Sequence, residues 1–101
     1  MKILLCCAAG MSTSMLVSKM LDVVRDRGLE VNIRAIPVAD FERSYKDADV
    51  ILLGPQVQYE AERLSKIAAP LGKPVAVIDM TDYGMMRGEK VLDKALALHT
   101  V

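Results

Sequence analysis

Four short apolar runs, at 2–6, 30–36, 50–53 and 75–79, are separated by stretches whose apolar residues recur at helical spacing. This alternation constrains the fold more than any other property of the chain. Strands joined through helices run parallel, because a helix returns the chain to the same edge of a sheet. Helices are predicted at 15–27, 39–46, 59–69 and 89–98. In the first, Leu16, Met20, Val23 and Val24 share one face, and Lys19, Asp22, Arg25 and Asp26 the other. Gly28 then reads as its C-terminal stop. In the third, Ala61, Leu64 and Ile67/Ala68 point inward and Pro70 ends the pattern. In the fourth, Val91, Leu92, Ala95 and Leu98 form the apolar face.

The first, third and fourth runs are continuously apolar, as expected of strands covered on both faces. The second alternates Val31, Ile33 and Ala35 with Asn32, Arg34 and Ile36, which suits an edge. With right-handed crossovers, the expected fold is one α/β domain over 1–101. It has a four-stranded parallel sheet of order 2-1-3-4 with helices on both faces. In such open sheets, ligands sit beyond the C-terminal ends of the strands, where the strand order reverses. Here that point lies between strands 1 and 3, at loops 7–14 and 54–57. The loop 80–88 opens on the same edge.

Bulk properties remove several functions. Thirteen Lys and Arg balance thirteen Asp and Glu, so no charge excess argues for a nucleic-acid partner or a membrane surface. Aromatic residues are 4% and Trp is absent, which leaves little to stack on bases or flavins. No apolar run approaches the ~20 residues needed to span a bilayer, so direct membrane insertion is not expected. The stretch 3–9 reads as a buried strand and not as a signal peptide. The two cysteines are adjacent. Their Cα atoms are ~3.8 Å apart, closer than the ~4.4–6.8 Å usual in a disulfide. Free thiols fit a reducing cytoplasm. No cluster of metal ligands is visible, and no cofactor is expected.

The chemistry concentrates in Cys7-Ala8-Ala9-Gly10-Met11-Ser12-Thr13-Ser14, between the first strand and the first helix. N–H groups at a helix start carry partial positive charge and bind anions, phosphate above all. Small side chains at Ala8 and Ala9 let phosphate reach the backbone. Gly10 permits unusual dihedrals. The hydroxyls of Ser12, Thr13 and Ser14 can donate to phosphate oxygens or cap the helix. A helix start also favours the nucleophilic thiolate of a neighbouring cysteine. Consecutive strand residues face opposite sides, so Cys6 continues the core while Cys7 opens the loop.

Two absences narrow this site. A nucleotide P-loop needs a Lys before its Ser/Thr, and none is present. The spacing Cys7-x5-Thr13 matches the Cys-x5-Arg loop of tyrosine phosphatases, but Thr13 replaces Arg, the bidentate phosphate clamp. Such a loop suits holding and passing on a phosphoryl group better than hydrolysing it. Gln56 and Tyr59 are candidates to support the loop from beyond strand 3. Asp79 reads as a turn or strand-end cap. Asp82 is a candidate general acid, with Tyr83 beside it. Met11, Met80, Met85 and Met86 could form an adaptable docking rim. His99 falls at the opposite edge, out of reach.

The run Ile3-Leu4-Leu5-Cys6-Cys7-Ala8-Ala9-Gly10-Met11-Ser12-Thr13-Ser14-Met15-Leu16-Val17 resembles the N-terminal signature of a known family. That family is the enzyme IIB component of the lactose/cellobiose (lactose/chitobiose) type of bacterial sugar phosphotransferase systems. Ala48-Asp49-Val50-Ile51-Leu52-Leu53-Gly54-Pro55-Gln56-Val57 and Val77-Ile78-Asp79 with Tyr83-Gly84 resemble two further family segments. The resemblance implies a phosphoryl carrier. Its phosphorylated cysteine maps onto Cys7, three residues before Gly10, and its phosphate loop onto 8–14. The phosphoryl donor would be a phosphohistidine on a IIA protein. The acceptor would be a sugar, such as a β-linked disaccharide, taken up through the membrane IIC permease. The protein would be cytoplasmic, docking at the membrane through IIC. Cys6 departs from the pattern, which carries an apolar residue there. Other readings share parts of this layout. A low-molecular-weight phosphatase or arsenate-reductase-like enzyme has the same strand, Cys loop and helix, but needs the Arg. A flavodoxin- or receiver-type regulatory module would want flanking aromatics or an acidic cluster after strand 1.

Overall fold

The sheet forms as the apolar runs predict. A computed structural model describes residues 1–8 and 11–99, and of residues 11 and 12 the backbone alone. Strands β1 (Lys2–Cys7), β2 (Asn32–Pro37), β3 (Val50–Leu53) and β4 (Val75–Val77) are parallel and ordered β2-β1-β3-β4. Leu4 lies between Arg34 of β2 and Ile51 of β3, and Leu52 beside Ala76 of β4. The inner strands are the most apolar. Ile3 to Cys7 and all of β3 are buried.

Five α-helices lie among the described residues: α1 (Met11–Asp26), α2 (Phe41–Ser44), α3 (Ala61–Ala68), α4 (Met80–Gly84) and α5 (Gly88–His99). Short 3-10 turns flank α2 and α3. The alternation of side chains along each strand sorts the core into two layers. Ile3, Leu5, Val50 and Leu52 pack with Leu16, Met20 and Val24 of α1 and with Val91, Leu92 and Ala95 of α5. Leu4, Cys6, Ile51 and Leu53 pack on the other face with Phe41, Val57, Leu64 and Ala68.

Local chemistry sets the helix ends. Gly28 has φ +65. The Leu29 N–H donates to Val24 O at 3.0 Å and the Gly28 N–H to Arg25 O at 3.2 Å. This paired closure needs a left-handed residue, which glycine adopts without strain. Gly88 is required for space. A Cβ there would lie 2.7 Å from the backbone of Lys19 and Met20, so α5 can start tight against α1 only without a side chain.

Four features differ from the sequence expectations. Helix α1 starts at Met11 and not at 15, because its buried stripe runs back through Thr13, with Leu16, Met20 and Val24. A polar residue in that stripe hides the first turn from apolar periodicity. The loop between strand and helix is correspondingly shorter than 7–14. Cys7 closes β1 instead of opening the loop, paired in register with Pro37. The stretch 80–88 is not plain loop but contains α4, capped by Asp79, whose Oδ2 accepts from the N–H of Thr81 (2.9 Å) and Asp82 (3.1 Å). Finally, β4 is half-buried and not fully covered, because it forms the second edge of the sheet.

Candidate functional site

The end of β1 delivers Cys7 to the point where the strand order reverses. Its side chain is fully buried. The Cys7 Sγ shares a hydrogen bond with Thr13 Oγ1 at 3.3 Å and donates to the carbonyl of Ile36 at 3.9 Å. Thr13 is itself fully buried, in the first turn of α1. The thiol is therefore held between the end of the edge strand β2 and a hydroxyl at a helix start, where N–H dipoles converge. Ala8 and Ser14 are exposed on either side. Ala9 and Gly10, and the side chains of Met11 and Ser12, lie outside the described residues.

Cys6 points the other way, into the layer with Leu4, Phe41 and Leu64. Burial pushes its thiol up to about 12, with the neighbouring Cys7 charge adding to the effect. A thiol so disfavoured as thiolate is a poor nucleophile near neutral pH. The two sulfurs thus have different chemistry despite adjacent positions.

Beyond β3, the Gly54 N–H donates to Cys6 O at 2.9 Å. This bond ties the 54–56 turn to the strand that carries Cys7. Next to it opens a cleft of ≈ 300 Å³ lined by Pro55, Gln56, Met80, Tyr83 and Gly84. Of the supporting candidates, Gln56 and Tyr83 meet in this cleft. Tyr59 is 74% exposed and is not part of its lining. Asp82 faces Arg87, with Oδ1 3.6 Å from Nη1. Pro55 and Gly84 carry no reactive group and are not candidates in the sequence, and Met80 is a candidate there only for the docking rim. The Gly54-Pro55 turn was the available signal. His99 lines a separate cleft with Asp49, Lys73 and Pro74, at the opposite edge of the sheet.

A buried thiol at the end of the first strand, held under a helix start in a doubly covered parallel sheet, defines a class of α/β phosphoryl-transfer domain. The comparisons narrow the class to a family. The family model of the PTS system, Lactose/Cellobiose specific IIB subunit, matches residues 2–94. The chain is 48% identical over 98 residues to the cellobiose-specific EIIB component of Lactococcus lactis subsp. lactis (strain IL1403), covering 92% of this chain and 91% of that protein. It is 41% identical over 97 residues to the oligo-beta-mannoside-specific EIIB component of Bacillus subtilis (strain 168), covering 96% and 94%. The solution structure of a cellobiose-specific IIB protein from Borrelia burgdorferi superposes with TM-score 0.83 at 40% identity, covering 99% of this chain and 92% of that one. A lactose-specific IIB domain from Streptococcus pneumoniae superposes at 0.89 with 19% identity, covering 98% and 97%, a likeness of fold. The chain belongs to the lactose/cellobiose-specific IIB family of sugar phosphotransferase systems. It is a phosphotransferase acting in phosphoryl transfer to sugar, and the phosphatase and flavodoxin-like readings are not favoured. Among the described residues, no helix is long and apolar enough to cross a membrane.

Proposed function

We propose that Cys7 is the residue that carries the phosphoryl group. It receives the group from a phosphohistidine of a IIA protein and passes it to a sugar delivered by a membrane IIC permease. The observation that carries this reading is the contact of Cys7 Sγ with Thr13 Oγ1 beneath the start of α1. The relatives are named for cellobiose, galactose and oligo-beta-mannoside; of these sugar types, a β-linked disaccharide is the acceptor proposed here. The chain would work in the cytoplasm, meeting IIC at the inner face of the membrane.

In the first half-reaction, Cys7 Sγ attacks phosphorus in line, and the bond to the IIA imidazole nitrogen breaks. N–H groups at the start of α1 and the hydroxyls of Thr13 and Ser14 are suited to hold the phosphoryl oxygens as charge shifts. The proposed phosphate loop spans residues 8–14, of which 9 and 10 lie outside the described residues. Because Cys7 is fully buried, attack requires its sulfur to become accessible to the donor. Of the methionines expected at the rim, Met80 is 69% exposed and Met85 64%, and Met86 is half-buried. Thioethers are adaptable contact groups, and this rim is suited to successive partners.

The test is incubation with the general phosphotransfer proteins and a IIA protein, followed by intact mass. Wild type and Cys6→Ser are expected to gain one phosphoryl group, and Cys7→Ser none. Labelling that persists in Cys7→Ser overturns the assignment.

A further inference from the structure

The cleft beside the Gly54 turn, which is hydrogen-bonded to Cys6 O, has a chemical character that the phosphoryl cradle does not. Among the described residues, none of the five that line it is charged, so it is poorly matched to a phosphate or to a charged protein segment. It combines an aromatic ring at Tyr83, a carboxamide at Gln56, the ring of Pro55 and the thioether of Met80. Apolar faces with one directional polar group suit a neutral polyol. The apolar faces pack against C–H groups, and the amide both donates and accepts hydrogen bonds to hydroxyls. At ≈ 300 Å³ it sits at the low end of small-molecule pockets.

Glycine at 54 bears on the same point. Its backbone, φ −63 and ψ 151, is open to any residue, so conformation does not demand glycine. Space does. A Cβ there would lie 2.8 Å from Gln56 Oε1 and 3.6 Å from both Cys6 O and Tyr83 Cε2. The missing side chain lets the Gln56 carboxamide and the Tyr83 ring converge over the floor of the cleft. Gly84 on the rim has nothing within 4 Å of a Cβ position, which leaves the entrance open.

We propose that this cleft binds one pyranose ring of the incoming sugar, with Tyr83 as its wall and the Gln56 carboxamide as its orienting hydrogen-bonding group. The proposal rests on the carrier role of Cys7. It gives this subunit a hand in positioning the acceptor. In the transfer step, a sugar hydroxyl oxygen attacks phosphorus, and the new O–P bond forms as the S–P bond of phosphocysteine breaks. The electron pair of that bond stays on sulfur, and the hydroxyl proton returns to it, regenerating the Cys7 thiol.

The test uses the full chain phosphorylated by its IIA protein, with cellobiose as probe and membranes carrying the permease component. Intact mass first records the phosphoryl group on Cys7, so a failure of the carrier role shows before the cleft is assayed. Gln56→Ala removes the amide. Gly54→Ala displaces only the flexible end of Gln56 and keeps an allowed backbone. Each is expected to raise KM for cellobiose about fivefold, the size of one lost neutral hydrogen bond, with a smaller change in kcat. Cellobiose added to the isotope-labelled chain is expected to shift the amides of Gln56, Tyr83 and Gly84. Unchanged KM in both variants overturns the proposal. So do shifts at these amides caused by a partner protein and not by the sugar, which would assign the cleft to protein docking.

Discussion

Cys6 packs among Leu4, Ile51, Leu53 and Phe41 in the layer covered by α2 and α3. Cys7, one residue on, turns to the α1 side and meets a hydroxyl. Both sulfurs are fully buried, so exposure does not distinguish them. What differs is the partner. Cys6 is surrounded by hydrocarbon, and burial raises its thiol to about 12. Cys7 has Thr13 Oγ1 and the Ile36 carbonyl. In a sheet with helices on both faces, a shift of one residue exchanges one chemical environment for another.

The largest test of this comparison is on the Cys6 side. Phe41 is fully buried, with its ring stacked on Tyr45 at 4.9 Å between centroids. Phe41→Ala is expected to lower unfolding free energy by about 3–5 kcal/mol, read by urea denaturation. The folded fraction should still accept one phosphoryl group, because the Thr13–Cys7 contact lies on the other face. Loss of labelling in folded protein would break the separation of the two layers.

On the Cys7 side, Thr13→Val keeps the shape and removes the hydroxyl. The expected loss is about 10²-fold in the rate of phosphoryl gain, followed by intact mass against time, with Cys6→Val unchanged. Equal rates in the two variants would mean that Thr13 is only a packing residue.

Alkaline stability sharpens the contrast further. A thiol raised from its ordinary 9.0 to about 12 in the fold keeps its proton when the unfolded chain has lost it. Its stabilising contribution is complete below about pH 9 and is lost as pH rises toward 12. By pH 10 the loss is about 1 kcal/mol. Cys6→Val is expected to remove that part of the alkaline slope, measured by urea unfolding between pH 8 and 10. An identical slope in the variant would show that burial of Cys6 does not govern it.

The smallest expected effect lies outside both thiol environments. Met86 has φ 52 and closes α4, its N–H donating to Tyr83 O at 3.1 Å and that of Arg87 to Asp82 O at 2.8 Å. This closure favours glycine. Met86→Gly is expected to raise stability by up to about 1 kcal/mol in thermal unfolding.

Much of this arrangement is legible in the chain. Continuous runs at 50–53 and 2–6 mark the inner strands, and the alternation around Ile33 and Arg34 marks an edge, which together order the sheet. The opposite facing of Cys6 and Cys7 follows from strand geometry alone. The start of α1 is hidden because Thr13 occupies a buried position with a polar side chain. Helix α4 is too short to show a period, and its one signal, Asp79 before Thr81 and Asp82, is equally the mark of a turn. The burial of Cys7 depends on how the edge strand and the first turn of α1 close over it. The cleft joins Gln56 to Tyr83 across two connections, which no local pattern records.

The covered position of Cys7 also bears on survival of the resting protein. Peroxides, aldehydes and quinones consume thiols that they can touch. A sulfur with no exposed surface is shielded from such reagents. The packing that buries Cys7 against Thr13 and the Ile36 carbonyl therefore protects the proposed carrier atom while the protein rests.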